Sequence, residues 1–179
     1  MAEKKAIIIF SDAVTIDPDS KFGKKSATFA QADTTGLEAL VATYGKSAAT
    51  CEEAVKAVEA DEACVYTKDS NLDAVLDGVD RKTLVVVVSG KGVAFWGFGV
   101  NNKAGAVNRA ATAQDIYVTI ANIVDLPITA ECTGAILYQM MKDPNLKISE
   151  INKLKEAISR MESVIARDNR EPWDKHDCA

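Results

Sequence analysis

The hydrophobic positions of the chain fall into short continuous runs separated by polar and glycine-rich segments. The run Thr83–Val88 is almost entirely branched and apolar, and it ends abruptly at Ser89–Gly92. Such a run is typical of a strand that is buried on both faces, as in a parallel sheet covered by helices. A second run, Lys4–Phe10, predicts another buried strand near the N-terminus.

The stretches between these runs carry apolar residues at helical spacing. A helix over Cys51–Ala60 is indicated most directly, because Thr50 and Glu53 have the spacing of a capping box. Further helices are expected at Thr35–Tyr44, at Asn71–Leu76, from Thr112 onward and at Glu131–Met141. Short strands are expected at Ala63–Thr67 and at Val93–Gly99, where the second could instead form a hairpin.

The last apolar pattern is the most regular in the chain. From Ile148 to Ile165, large apolar residues recur at steps of three and four, and most positions between them are charged. This pattern predicts an amphipathic helix of about five turns. Docking on the rest of the domain is the usual role of such a face, and self-association is the alternative. We expect a single domain over residues 1–168 and a loosely ordered tail over residues 169–179.

Predicted strands alternate with predicted helices along the chain. This order is typical of the α/β class, so we expect a mainly parallel sheet flanked by helices on both faces. Ligands of such sheets bind past the carboxyl ends of the strands. Asp12 follows the first strand directly, where it could hold a ligand or a metal or, alternatively, only cap the next turn.

Composition narrows the classes of protein that fit. The 179 residues are 47% hydrophobic and 26% charged, which is ordinary for one globular domain. A net charge of −5 argues against nucleic-acid binding. No apolar run reaches the length of a membrane span or a signal-peptide core, so we expect a cytoplasmic protein without a membrane partner. The only histidine is His176, and the four cysteines, expected to be free thiols, are Cys51, Cys64, Cys132 and Cys178.

Three segments carry a family resemblance: KKAIIIFSDAVTIDP with FGKKSATFAQADTTGLEALVATYG, then DSNLDAVLDGVDRKTLVVVVSGKG, then TAQDIYVTIANIVDLPITAECTGAILYQMM. The first resembles the opening of archaeal-type cofactor-independent phosphoglycerate mutases. The second resembles the segment before the Ser-Asp-His-Gly metal motif of the alkaline phosphatase superfamily, and the third resembles a helix pair of its sulfatases and phosphodiesterases. The resemblance implies an alkaline-phosphatase-like core with a metal-binding Asp12 and a nucleophile near Thr50 or Cys51.

The metal motif itself is not matched. Ser89, Gly90, Lys91 and Gly92 align with Ser-Asp-His-Gly, so a glycine and a lysine replace two metal ligands. The ammonium group of Lys91 would repel a cation. A single histidine, placed in the tail, cannot complete the pair of metal ions that the family uses. We therefore expect no two-metal catalysis and no metal or other cofactor.

The remaining family positions are treated as a vestigial site. Asp12 matches a ligand position, although Ala13 replaces the usual glycine after it. Thr50 and Cys51 occupy a place comparable to that of the nucleophile, but capping a helix explains Thr50 without any chemistry.

Three functions remain open. The first is binding of a small anion by the backbone after the central strand, with candidate residues Ser89, Gly90, Lys91, Gly92, Lys103 and Arg109; the alternative is that the glycines only form a tight turn. The second is a protein-interaction or homodimerisation module, based on the C-terminal helix and an aromatic patch at Phe95, Trp96 and Phe98. The third, which we favour least, is a phosphotransferase or hydrolase that uses Asp12 with Thr50 or Cys51 and lacks an activating base.

Overall fold

The computed structural model describes residues 4–168, and it separates into two compact units. The first unit ends at Lys142 and the second begins at Asp143. The C-terminal helix lies in the second unit, and a single domain over residues 1–168 stays a prediction. The predicted tail over residues 169–179, with His176 and Cys178, lies outside the described residues.

The first unit is built on a seven-stranded sheet. The strands of this unit are Lys5–Phe10 (β1), Ala27–Phe29 (β2), Ala32–Asp33 (β3), Lys46–Ser47 (β4), Cys64–Thr67 (β5), Thr83–Ser89 (β6), Gly92–Gly97 (β7), Gly105–Ala106 (β8) and Ala111–Thr112 (β9). The seven strands of the sheet follow the spatial order β4-β5-β1-β6-β7-β2-β8, and β3 and β9 form a separate parallel pair.

The sheet is mostly parallel but mixed. β1 pairs in parallel with β5 on one side and with β6 on the other, in a register that places Phe10 beside Val88. β7 turns back from β6 and pairs antiparallel both with it and with β2. All seven residues of β6 are buried, as its apolar run predicts. The predicted α/β class is therefore confirmed, with β7 as the antiparallel exception.

Helices cover both faces of the sheet. The helices of the first unit are Leu37–Ala42 (α1), Cys51–Glu59 (α2), Leu72–Gly78 (α3) and Ala113–Val124 (α4). Because strand side chains alternate between faces, Ala6 and Ile8 pack with α1 and α4, whereas Ile7 and Ile9 pack with α2 and α3. Two separate apolar cores result, one on each side of β1 and β6.

The helix starts follow their sequence signals. The side chain of Thr50 accepts a hydrogen bond from the backbone N–H of Glu53 at 3.2 Å, as predicted for the start of α2. The carboxylate of Glu53 accepts from the N–H of Ala49 at 3.0 Å, one residue before the position that the capping box predicts. A complete capping box begins α4, where Thr112 and Asp115 exchange both hydrogen bonds.

The helix predicted at Glu131–Met141 is wrong. This segment is irregular apart from a short 3-10 turn at Tyr138–Met140. Side chains of α4 bind some of its backbone N–H groups: Asp115 accepts from Ala135 at 2.7 Å, and Thr119 accepts from Leu137 at 2.9 Å. These two N–H groups cannot form i to i−4 bonds as well, so the segment lies along α4 as a strap and not as a helix.

The aromatic residues of β7 do not form an exposed patch. Phe95 is fully buried and meets Phe29 edge-on, with ring centroids 5.8 Å apart. Trp96 points to the opposite face and stacks on Phe22 at 6.3 Å. Phe98 is partly buried against the same core as Phe95. The patch predicted as a candidate interface is thus divided between the two cores.

The second unit contains one long helix, Leu146–Asp168 (α5), as the regular apolar pattern predicts. Its described large apolar side chains are exposed. No helix among residues 4–168 combines the length and the apolar character that crossing a membrane requires.

Candidate functional site

The carboxyl ends of β1 and β6 bring together residues that lie far apart in the chain. The backbone N–H of Ser11 donates to the carbonyl of Val88 at 3.0 Å and extends the parallel pairing by one residue. The carboxylate of Asp12 then accepts a hydrogen bond from the backbone N–H of Gly90 at 2.5 Å. Asp12 therefore lies beside the glycine-rich turn, because β1 and β6 are parallel neighbours and their carboxyl ends meet at one edge of the sheet.

The segment Ser89–Gly92 is the turn of a two-residue β-hairpin. Ser89 and Gly92 face each other in the register of β6 and β7. The N–H of Lys91 donates to the hydroxyl oxygen of Ser89 at 3.3 Å, and that of Gly90 donates to Asp12. The two N–H groups of the turn thus have acceptors within the chain, so anion binding here would depend on side chains rather than on a backbone cradle.

Gly92 is required at this turn for two reasons. Its φ of +128° lies in a region that residues with a side chain rarely adopt. A Cβ atom at this position would also lie within 3.0 Å of the backbone of Phe29 and Ala30 on the neighbouring strand. The tight-turn interpretation therefore accounts for Gly92 without a ligand.

One cavity, of about 410 Å³, opens on the side of Asp12 that faces α1. Glu38 and Lys68 line it together with Asp12, and the Lys68 ammonium lies 2.8 Å from the Glu38 carboxylate. The hydrogen bond that the Lys68 ammonium donates to Glu38, and the negative charge of that carboxylate, raise the pKa of Lys68. Because two carboxylates face a single, already paired ammonium, this cavity is a poor site for an anion.

A second cavity, of about 530 Å³, lies on the other side of the hairpin turn. Lys91 lines it from the turn, and Lys24 lines it from the 3-10 turn Gly23–Lys25. Its wall includes the apolar residues Ile16, Pro18 and Ala30, which are partly or fully exposed, and the hydroxyl-bearing residue Thr28. No aspartate or glutamate is among its lining residues. The cavity thus combines positive charge, a hydrogen-bonding group and apolar surface.

Lys103 and Arg109, the other candidate anion-binding residues, line neither of these cavities. Lys103 precedes β8, and its backbone N–H donates to the side chain of Asn101 at 3.1 Å. The guanidinium of Arg109 donates to the side chain of Gln139 at 2.8 Å and holds the strap that follows α4. The structure therefore brings Asp12, Ser89, Gly90 and Lys91 together and leaves these two residues elsewhere.

Thr50 and Cys51 also stand apart from both cavities, on the face that α2 covers. Cys51 is fully buried, and its backbone N–H donates to the carboxylate of Asp69 at 2.8 Å. Burial, and next to it the negative charge of Asp69, raise the pKa of the Cys51 thiol to about 12. A thiol with this pKa stays protonated at neutral pH and is a weak nucleophile.

The residues present do not fit the two-metal centre that the family resemblance implies. Asp12 is the one carboxylate at the matching position, and it is bonded to Gly90. Within residues 4–168, no group of three or more histidine, cysteine, aspartate or glutamate side chains is placed to hold a metal ion. Cys51, Cys64 and Cys132 are free thiols, as predicted.

Lys24 was not found by sequence reasoning. It lies in a polar loop beside Lys25, and nothing in the sequence distinguishes the two lysines. Its place at the cavity follows from β2, which pairs with β7 and brings the preceding turn next to Lys91.

Comparison with known proteins does not assign a family. The chain matches no protein-family model, and no curated protein or solved structure is significantly similar to it.

Proposed function

We propose that the first unit is a non-catalytic domain that binds a small organic anion in the cavity between Lys24 and Lys91. We further propose that it is a degenerate member of the alkaline phosphatase superfamily, a relationship that rests on the sequence resemblance alone. The observation that carries the binding proposal is the lining of the second cavity, which includes two lysines and no carboxylate.

The size and walls of this cavity suit a ligand with an apolar part. A volume of about 530 Å³ lies within the usual range of small-molecule sites. Ile16, Pro18 and Ala30 offer apolar surface, and the two ammonium groups can pair with a carboxylate or a phosphate. Asp12 and Glu38 disfavour an anion in the first cavity, whereas the two lysines of the second cavity favour one.

Catalysis is not part of this proposal. The Cys51 thiol is buried with a raised pKa, and Thr50 is used as a helix cap. Neither residue lies at the cavity, and the carboxylate of Asp12 is engaged by the turn.

The test uses phenyl phosphate, which carries both a charged and an apolar group, and phenol as its neutral counterpart. Binding to the full chain is measured by calorimetry and by the shift in melting temperature. We expect phenyl phosphate to bind and to stabilise the protein by about 2.7 kcal/mol at a hundredfold excess over Kd, with phenol weaker. Added salt should weaken the binding of phenyl phosphate.

Two variants make the test specific to the cavity. Lys24→Met combined with Lys91→Met should abolish the response, because both positive charges are lost while the aliphatic stems remain. Lys21→Met is the matched control: Lys21 is an exposed lysine that pairs with Asp77 and does not line the cavity. Equal binding by the wild type and the double variant would disprove the proposal, as would equal losses in the double variant and the control.

A further inference from the structure

The helix α5 exposes a continuous apolar stripe. Its large apolar side chains remain 45 to 64% exposed, which is unusual for so many residues on one helix. They are Ile148, Ile151, Leu154, Ile158, Met161, Val164 and Ile165. In proteins most of the stability of an amphipathic helix comes from packing of its apolar face, which in this 23-residue helix is exposed. The stripe therefore needs a partner surface.

The spacing of this stripe is that of a coiled coil. Counting Ile151 as position a places Leu154 at d, Ile158 at the next a, Met161 at d and Ile165 at a third a. The apolar residues thus alternate at steps of three and four, which is the heptad repeat. Every a position carries isoleucine, which is branched at Cβ, and the d positions carry leucine or methionine, which are not. This combination favours a parallel coiled coil of two helices.

Charged residues beside the stripe complement each other between two copies. Glu150 occupies position g and Lys155 occupies position e of the next heptad. In a parallel pair, a g residue faces the e residue five positions later in the partner, so Glu150 of each copy faces Lys155 of the other. The opposite side of the helix is polar, and Arg160 there forms an i, i+4 pair with Glu156 at 3.4 Å.

We propose that α5 is a homodimerisation helix that forms a parallel, in-register, two-stranded coiled coil with α5 of a second copy of this chain. This arrangement pairs every a and d residue from Ile151 to Ile165 with its counterpart. In an antiparallel pair, the a residues of one copy pack against the d residues of the other. Ile151 or Ile165 would then have no partner at one end of the pair, and the contact between Glu150 and Lys155 would be lost. The proposal is independent of the anion site, which lies wholly in the first unit.

The first experiment measures the mass of the full chain in solution by sedimentation equilibrium over a range of concentrations. We expect a reversible dimer with twice the chain mass of 19.2 kDa. Leu154→Asp should shift the chain to the monomer, because it places a carboxylate in the middle of the seam. Ser159→Asp is the matched control: it adds the same charge on the polar side of the helix and should leave the dimer intact.

Circular dichroism and the melting temperature of the first unit show whether each variant remains folded. If Leu154→Asp loses helix content and dimer together while the melting temperature of the first unit is unchanged, the proposal is supported. A wild-type chain that stays monomeric at all concentrations would overturn it, and so would a dimer that resists Leu154→Asp as well as it resists Ser159→Asp.

The orientation is tested by disulfide trapping. Ile151→Cys, in a chain with Cys132 and Cys178 replaced by serine, should form a covalent dimer under mild oxidation, because equivalent a residues touch only in a parallel pair. Lys155→Glu should weaken the dimer, and adding Glu150→Lys should restore it. Trapping only when a second cysteine is introduced at Met161 would show an antiparallel pair and would refute the proposed arrangement.

Discussion

Replacing Thr119 by valine tests whether one buried hydroxyl group holds the strap after α4 to that helix. The side chain is fully buried, donates to the carbonyl of Asp115 at 2.7 Å and accepts from the N–H of Leu137 at 2.9 Å. Valine has the same shape but offers neither bond. The N–H of Leu137, itself a fully buried residue, would be left without an acceptor.

The expected loss follows from that unpaired group. A buried donor without a partner costs about 1–3 kcal/mol in the free energy of unfolding. In a chain of this size each kcal/mol lowers the melting temperature by about 2–4 °C, so we expect a fall of about 2–12 °C. Equilibrium urea unfolding followed by circular dichroism measures the free energy, and hydrogen exchange at the amide of Leu137 should become faster.

Two companion variants separate the hydrogen bond from packing. Thr119→Ser keeps the hydroxyl and removes only a methyl group, so it should cost about 0.8 kcal/mol, less than the valine change if the bond dominates. Thr43→Val removes an exposed hydroxyl that donates to the carbonyl of Ala39 at 3.2 Å, and it should be nearly neutral. If Thr119→Val is no more destabilising than these two, the strap is not held by this bond and our reasoning is wrong.

Two further predictions concern the turn and the acid stability of the fold. A left-handed backbone alone costs a residue with a side chain about 1–2 kcal/mol. Gly92→Ala should lower the free energy of unfolding by more than this, because the carbonyl of Phe29 blocks the new Cβ. Gly36→Ala, which is also at positive φ but in open space, gives the backbone cost alone for comparison in urea unfolding. The hydroxyl of Thr83, 2.8 Å away, lowers the pKa of Asp80, so this carboxylate stabilises the fold above its unfolded pKa and loses that effect as the pH falls through the lower folded pKa. Asp80→Asn should therefore reduce the free energy of unfolding at pH 7 and make less difference near pH 3. Asp77→Asn, which breaks only a surface ion pair, should change little at either pH. An equal loss for Asp80→Asn at both pH values would contradict the lowered pKa of Asp80.

The elements that the sequence predicted well are those with a local signal. The buried run of β6 and the cap of α2 at Thr50 each depend on a few neighbouring residues, and both occur as expected. The helix at Glu131–Met141 failed because distant side chains, among them Asp115 and Thr119, compete for its backbone N–H groups. No propensity within the segment reveals such competitors.

In the candidate site, too, features with a local sequence signal could be predicted and features that depend on distant parts of the chain could not. The sequence predicted that Asp12 directly follows the first strand, whereas its contact with the turn depends on β1 and β6 being parallel neighbours, and the shape of the turn depends on β7 returning antiparallel. In this arrangement the N–H groups of the turn bond to Ser89 and Asp12, and Lys91 lines the same cavity as Lys24. Both outcomes come from tertiary pairing, which one sequence does not display.

The central position of β1 determines the order in which the chain can fold during its synthesis. Among the strands of its sheet β1 is made first, yet both of its neighbours, β5 and β6, come much later in the chain. At a usual elongation rate, about 4–16 s separate the synthesis of Phe10 from that of Ser89. Throughout that interval the apolar run after Lys4 and Lys5 lacks at least one of its two native neighbours, and these two charges are the kind that limits aggregation beside such a run. We expect ribosome-bound chains that stop before β6 to be cleaved by protease within β1, and chains from which β6 and β7 have emerged to be protected there.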